Sequence, residues 1–195
     1  MLKKLLSGIF LSSIITFSAS AKSYYMKFND KDSKMTFLVS TTLHDFTADV
    51  KKFKGNITIN ADDSNDVQKA EGSLDITVDS FFSKDKKRDD RMKNEILSVS
   101  KYPLIKLKVN GAKVTEKLKE DGSMQMKLLG TLTILGTTKN VSIPVKVKLD
   151  KNKTSAKVDG VYTVNFKDFN VPDPSIPVLN KVNENVNITF SLKAN

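Results

Sequence analysis

Apolar and polar residues alternate with a period of two along most of the chain beyond residue 23, the pattern of strands with one dry and one wet face. Tyr24, Met26 and Phe28 share one side of the first run, against Tyr25 and Lys27. Met35, Phe37 and Val39 make a second inward set. Phe53, Ile57 and Ile59 make a third, with Gly55 at a close backbone approach, and Leu74, Ile76 and Val78 a fourth. Thr36, Thr58, Asp75 and Thr77 fall on the wet faces. Half-dry strands pair antiparallel, since parallel sheets are covered on both sides and read as unbroken apolar runs.

Ile105, Leu107 and Val109 lead into Asn110-Gly111, and a return run to Leu118 leads into Asp121-Gly122. Asn-Gly and Asp-Gly suit two-residue turns whose central positions need positive φ, which predicts two tight hairpins in a row. Met124, Met126, Leu128, Gly130, Leu132 and Ile134 then hold one parity up to a turn at Gly136-Thr137-Thr138-Lys139-Asn140. Val141, Ile143, Val145, Val147 and Leu149 return from it. After a turn at Lys151-Asn152-Lys153 the parity from Ala156 through Tyr162 is unbroken and continues to Val164 and Phe166, so Asp159-Gly160 reads as a bulge. Val171 to Pro177 holds three prolines and belongs in an extended loop at a rim. Val186, Ile188, Phe190 and Leu192 end the pattern.

Ser83 to Ser100 breaks the alternation: it is highly charged, and Met92, Ile96 and Leu97 recur at helical spacing. One short helix over an end of the sheet accounts for it. Eight or so long strands with one dry face give an all-β fold, closed into an antiparallel barrel or folded as a sandwich, and strand length favours the barrel. The inward parity includes Phe37, Val39, Phe53, Ile57, Leu74, Ile76, Leu107 and Met126. It continues with Leu128, Leu132, Ile134, Val145, Val147, Val164 and Phe190. Small barrels either fill with side chains or keep room for a ligand. Met26, Met35, Met124 and Met126 suit either case, and no Trp is present to plug the lumen.

The N-terminus has a different grammar. Lys3-Lys4 precedes an apolar run from Leu5 to Phe17, and Ala19-Ser20-Ala21 fits a cleavage site. Residues 1–21 therefore read as a signal peptide and 22–195 as one domain, periplasmic or secreted. The run is too short to span a bilayer, which takes about 20 residues. With no Cys, a lipid anchor, disulfides and thiol chemistry are excluded. The net charge of +10 fits transient contact with an anionic membrane, or a solubility device, since Lys is interleaved with Asp and Glu. No motif points to nucleic acid.

Catalytic residues are scarce. His44 is the only imidazole, no G-x-S-x-G elbow accompanies it, and Leu43-His44-Asp45-Phe46 reads as a corner between strands. Asp62-Asp63 and Asp89-Asp90 lack the spacing of a calcium loop, so no metal or cofactor is expected, and no enzyme. The cluster Lys84, Lys86, Lys87, Arg88, Arg91 and Lys93 would sit at a barrel end, where Arg88 and Arg91 are candidates to hold a phosphate-bearing head group. Ordinary ion pairs with Asp85, Asp89 and Asp90 are the competing reading.

Three stretches resemble the YceI-like, polyisoprenoid-binding family. They are Lys87-Arg88-Asp89-Asp90-Arg91-Met92 with Ser100-Lys101-Tyr102-Pro103-Leu104-Ile105, the segment from Gly130 to Val141, and Asn165-Phe166-Lys167-Asp168-Phe169. The late element lacks its Arg, and Asp30-Lys31-Asp32-Ser33 replaces the early D-P-x-H-S. The resemblance implies an extended, lipocalin-like barrel of eight strands, an elongated channel for an isoprenoid or other long aliphatic chain, and often a homodimer. The expected function is carriage or sequestration of a long-chain lipid by an exported protein, with Leu132→Asp or Val145→Lys abolishing loading. The alternatives are an exported protein-binding or inhibitor module with a packed barrel, and a small outer-membrane barrel. The last is weakened by Lys and Asp on the outward parity.

Overall fold

In the computed structural model, residues 22–61, 67–152 and 154–195 are described. The leader, Asp62-Asp63 and Lys153 of the expected turn lie outside the described residues.

The first three long strands are each interrupted once. Strand β1 (Lys22–Asn29) continues as β2 (Lys34–Thr41), β3 (Phe46–Val50) as β4 (Phe53–Ala61), and β5 (Val67–Thr77) as the two-residue β6 (Phe81–Phe82). The registers Asn29↔Lys54 and Thr36↔Asp49 show that β1 and β2 line up against β4 and β3. A short helix α1 (Lys86–Arg91), extended by a π turn at Met92–Ile96, leads to the unbroken strands β7 (Leu104–Glu116), β8 (Ser123–Ile134), β9 (Thr137–Leu149), β10 (Ala156–Asn165) and β11 (Val182–Ala194). Every pairing is antiparallel.

The eleven segments thus make eight walls. β11 pairs with β10 on one side and, on the other, with β2 and then with β1 at Phe28↔Ala194. Reciprocal backbone bonds between Lys27 and Asn195, 2.8 and 2.9 Å, complete the ring. Closure pairs each wall with a neighbour on both sides over at least part of its length, which protects most of the strand edges. Inward residues such as Met35, Phe37 and Val39 are buried, as the alternation predicts.

Four local expectations are corrected, the first being that Asp121-Gly122 is not a two-residue hairpin turn, since β7 ends at Glu116, β8 begins at Ser123 and Gly122 alone of the pair has positive φ. Asn110-Gly111 is not a hairpin turn: β7 runs through it with a bulge between Val109 and Gly111, because β8 offers a partner of nearly the same length opposite. The turn expected over 136–140 is the two-residue turn Leu135-Gly136, with φ of +49° and +78°, and β9 begins at Thr137. Leu135 adopts this unusual conformation with its side chain packed on the core. Asp159-Gly160 is no bulge, since both residues pair in register with Ser191 and Phe190. A Cβ at Gly160 would overlap the Phe190 ring, as one at Gly55 would overlap the Phe28 ring.

Asp121 anchors the turn into β8. It accepts bonds from the Ser123 N–H and hydroxyl (2.9 and 2.6 Å) and from Lys148 Nζ (2.9 Å). These donors, the Ser123 hydroxyl foremost, hold its carboxyl well below the usual carboxylate range. A depressed folded-state value means that its contribution is full at neutral pH and is lost as acid protonates it. Asp121→Asn should lower Tm slightly at neutral pH, and melting curves should converge with the native protein as pH falls below about 4.

Candidate functional site

The barrel interior has two unlike halves. At the end where β8 begins and β9 finishes, Met26, Met124, Met126, Val145, Val147 and Ala156 interlock, leaving a void of only about 30 Å³. At the opposite end lies a cavity of about 440 Å³, within the range of about 300–1,000 Å³ usual for small-molecule sites. The channel implied by the resemblance therefore does not run the barrel's full length, because unbranched Met side chains fill the irregular space at the closed end.

The ladders explain where the hole lies. β9 and β10 pair only from Leu149↔Ala156 to Val145↔Gly160, and the next residue on β9 is Pro144, which has no N–H to give. Beyond that point the two strands part. Likewise β5 meets β7 only as far as Thr77↔Leu104, while β6 pairs with β3 alone. The wall opens on both sides, and helical segments contribute to the lining there.

Met35, Phe37 and Val39 from β2, Ile76 from β5, Leu132 and Ile134 from β8, and Val164 from β10 line the cavity. Phe46 and Val50 of β3, Phe81 of β6, Ile105 of β7 and Val186 and Ile188 of β11 complete much of it. Phe37 and Phe81 meet edge to face, centroids 5.0 Å apart.

Helix α1 is fixed from below. Asp85 caps it by accepting the Arg88 N–H at 3.1 Å, and the buried Asp89 accepts both the N–H and the hydroxyl of Ser83, at 2.9 and 2.6 Å. Leu97 N–H reaches back five residues to the Met92 carbonyl (2.9 Å), so the widened turn directs Met92, Ile96 and Leu97 at the cavity together.

Lys87, Arg88 and Arg91 border the mouth, and among the described residues no carboxylate lines the cavity itself. Arg88 lies over the Phe46 ring at 4.3 Å and 3.6 Å from Asp85; Arg91 pairs with Glu95 at 3.5 Å. The Arg88 N–H and its charge depress the Asp85 carboxyl. The competing ion-pair reading holds for Lys86 with Asp90 and for Arg88 with Asp85, whereas Asp89 serves Ser83 instead. His44 is exposed at the rim.

Of the fifteen interior residues expected from parity, Phe37, Val39, Ile76, Leu132, Ile134 and Val164 meet at the cavity, with Arg88 and Arg91 at its mouth. Met126, Val145 and Val147 are buried in the packed half, where Ile57 and Leu128 also pack. Phe53 and Leu74 belong to the neighbouring cluster, and Leu107 and Phe190 touch both clusters. None of these nine borders the cavity. Sequence reasoning missed Phe46, Val50 and Phe81 as lining residues, although Phe46, Ala48 and Val50 do alternate.

Among the described residues no three His, Asp or Glu side chains converge in a metal-binding group. What the cavity offers is carbon surface within and cationic donors at the entrance.

Comparisons with known proteins agree with this architecture. No curated protein sequence matches the chain. Among solved structures it is similar to Burkholderia cenocepacia BcnA, with 22% identity, a TM-score of 0.68, and 84% of this chain and 96% of the other covered. It is also similar to a polyisoprenoid binding domain from Saccharophagus degradans implicated in plant cell wall breakdown, with 17% identity, a TM-score of 0.69, and 89% and 98% covered. At these identities the likeness establishes the fold. The YceI-like domain matches residues 26–194, nearly the whole described barrel, and the chain belongs to the YceI-like domain family.

Proposed function

We propose that this protein is an exported, soluble carrier or sequestering protein that holds the apolar chain of a long lipid, isoprenoid or fatty-acid-like, in the mouth half of its barrel. The observation that carries this reading is the cavity of about 440 Å³ inside the barrel, lined mostly by apolar side chains. Each methylene moved there from water is worth about 0.8 kcal/mol, part of which is offset by the ordering of the chain. Membership of the YceI-like family and similarity to a polyisoprenoid binding domain support the same ligand class. A solidly packed binding module would have no use for such a hole. Solvent extraction of the protein, purified without detergent, followed by mass spectrometry should yield a near-stoichiometric long-chain lipid. A clean extract overturns the proposal.

Arg88 and Arg91 would meet an anionic head group at the entrance, by charge-assisted hydrogen bonds worth about 1.5–3 kcal/mol each. Changing both to Gln should weaken a prenyl phosphate at least tenfold and leave the matching prenyl alcohol within about twofold, measured by competitive displacement of a fluorescent lipid.

A further inference from the structure

The cavity mouth carries an exposed apolar tip. Leu43, Ile176, Val178 and Leu179 are all exposed, and Val178 is wholly so. They lie on two loops stitched together: the Thr42 N–H donates to the Lys181 carbonyl and the Lys181 N–H to Thr42 Oγ1, both at 3.0 Å. Reciprocal bonds between Ile176 and Asn180 (2.8 and 2.9 Å) pinch the second loop, so that Pro177, Val178 and Leu179 project as its apex. Val178 sits at φ +68°, a conformation that a β-branched residue adopts only under strain.

We infer that this tip docks the barrel mouth onto the surface of a bilayer containing anionic phospholipid. Charge selects that occupant: the cations bordering the same mouth are Lys87, Arg88 and Arg91, joined at the loop base by Lys181, with no carboxylate in the cavity lining. Of the carboxylates near the mouth, Asp85 and Glu95 each pair with one arginine, Arg88 at 3.6 Å and Arg91 at 3.5 Å, and leave Lys87 and Lys181 uncompensated by them. Asp45 turns toward Ser40 and the Thr41 N–H, and Asp173 toward the Ser175 N–H. Ile176 and Asn180 line both loop and cavity, so apolar surface is continuous from tip to interior. A lipid chain passing from membrane to barrel along that surface avoids open water; this step rests on the lipid-binding reading above, whereas the docking itself does not.

Flotation with vesicles of phosphatidylcholine, with and without phosphatidylglycerol, tests the inference. The full protein should float with the anionic vesicles, less so at high salt, and far less with phosphatidylcholine alone. The double variant Val178→Asp, Leu179→Asp should bind anionic vesicles at least about tenfold more weakly. Neither residue borders the cavity, and Asp tolerates the left-handed backbone better than Val, so folding and uptake of a dispersed prenyl alcohol should be unchanged. Absence of native binding to anionic vesicles, or equal binding by the variant, overturns the docking site. A dimer abolished by the variant, with no vesicle binding, assigns the tip to a second copy and overturns it too. Vesicle binding without prenyl uptake leaves docking standing and removes the carrier reading instead.

Discussion

Leu132→Asp is expected to abolish lipid loading while leaving a folded, destabilised barrel. Leu132 is buried where β8 enters the cavity, so a carboxylate there faces the ligand's hydrocarbon on one side and the apolar wall on the other. An unpaired charge cannot be buried under a lipid chain without a cost of several kcal/mol, comparable with what many methylenes contribute. In the unliganded protein the same carboxylate can be hydrated through the open mouth, which limits the damage to the fold. Val145→Lys makes the contrast. Val145 sits in the packed half, between Met126 on β8 and Gly160 on β10, with no cavity to admit water. That variant should fail to fold, not fold empty. Circular dichroism with a fluorescent-lipid titration separates the two, and a Leu132→Asp protein that is folded and fully loaded would contradict the assignment of the cavity.

Gly130→Ala should cost about 3 kcal/mol, the upper part of the range for forcing atoms into a packed site, despite adding only a methyl group. Gly130 pairs with Val109 beside the bulge in β7, and there the strands approach so closely that a Cβ would overlap the Lys108 carbonyl oxygen. Backbone cannot rotate aside as a side chain can. Relief requires moving the ladder itself, next to the bulge that bends the wall. Urea denaturation should show a lower midpoint with little change in slope. A loss below about 0.5 kcal/mol would mean that the strands can part there at no cost.

The wall of the barrel is written plainly in the chain, because a strand half in water and half in a core must alternate. Met35, Phe37, Val39 and Leu132, Ile134 were legible on that ground alone. Turn chemistry was less reliable. Asn110-Gly111 carries the residues of a hairpin, yet pairing with β8 outweighs the local preference, and Leu135 takes positive φ with nothing in its identity to announce it. The cavity was the least legible feature. Its place depends on where ladders stop, at Pro144 on one side and Leu104 on the other, and that is a property of paired strands. Parity likewise cannot tell Val145 from Leu132: both point inward, one into interlocked Met side chains and the other into space. The apolar spacing of Met92, Ile96 and Leu97 did foretell a helix, but its π turn, which points all three at the lumen, emerges only from the backbone bond to Met92.

The most direct test of the central claim is a crystal structure of the protein incubated with a long prenyl alcohol. Continuous density should run inside the mouth half between Leu132, Ile105 and Ile188, its polar end toward Arg88 and Arg91. Density confined to the outer surface, or a mouth half closed by its own side chains, would contradict it.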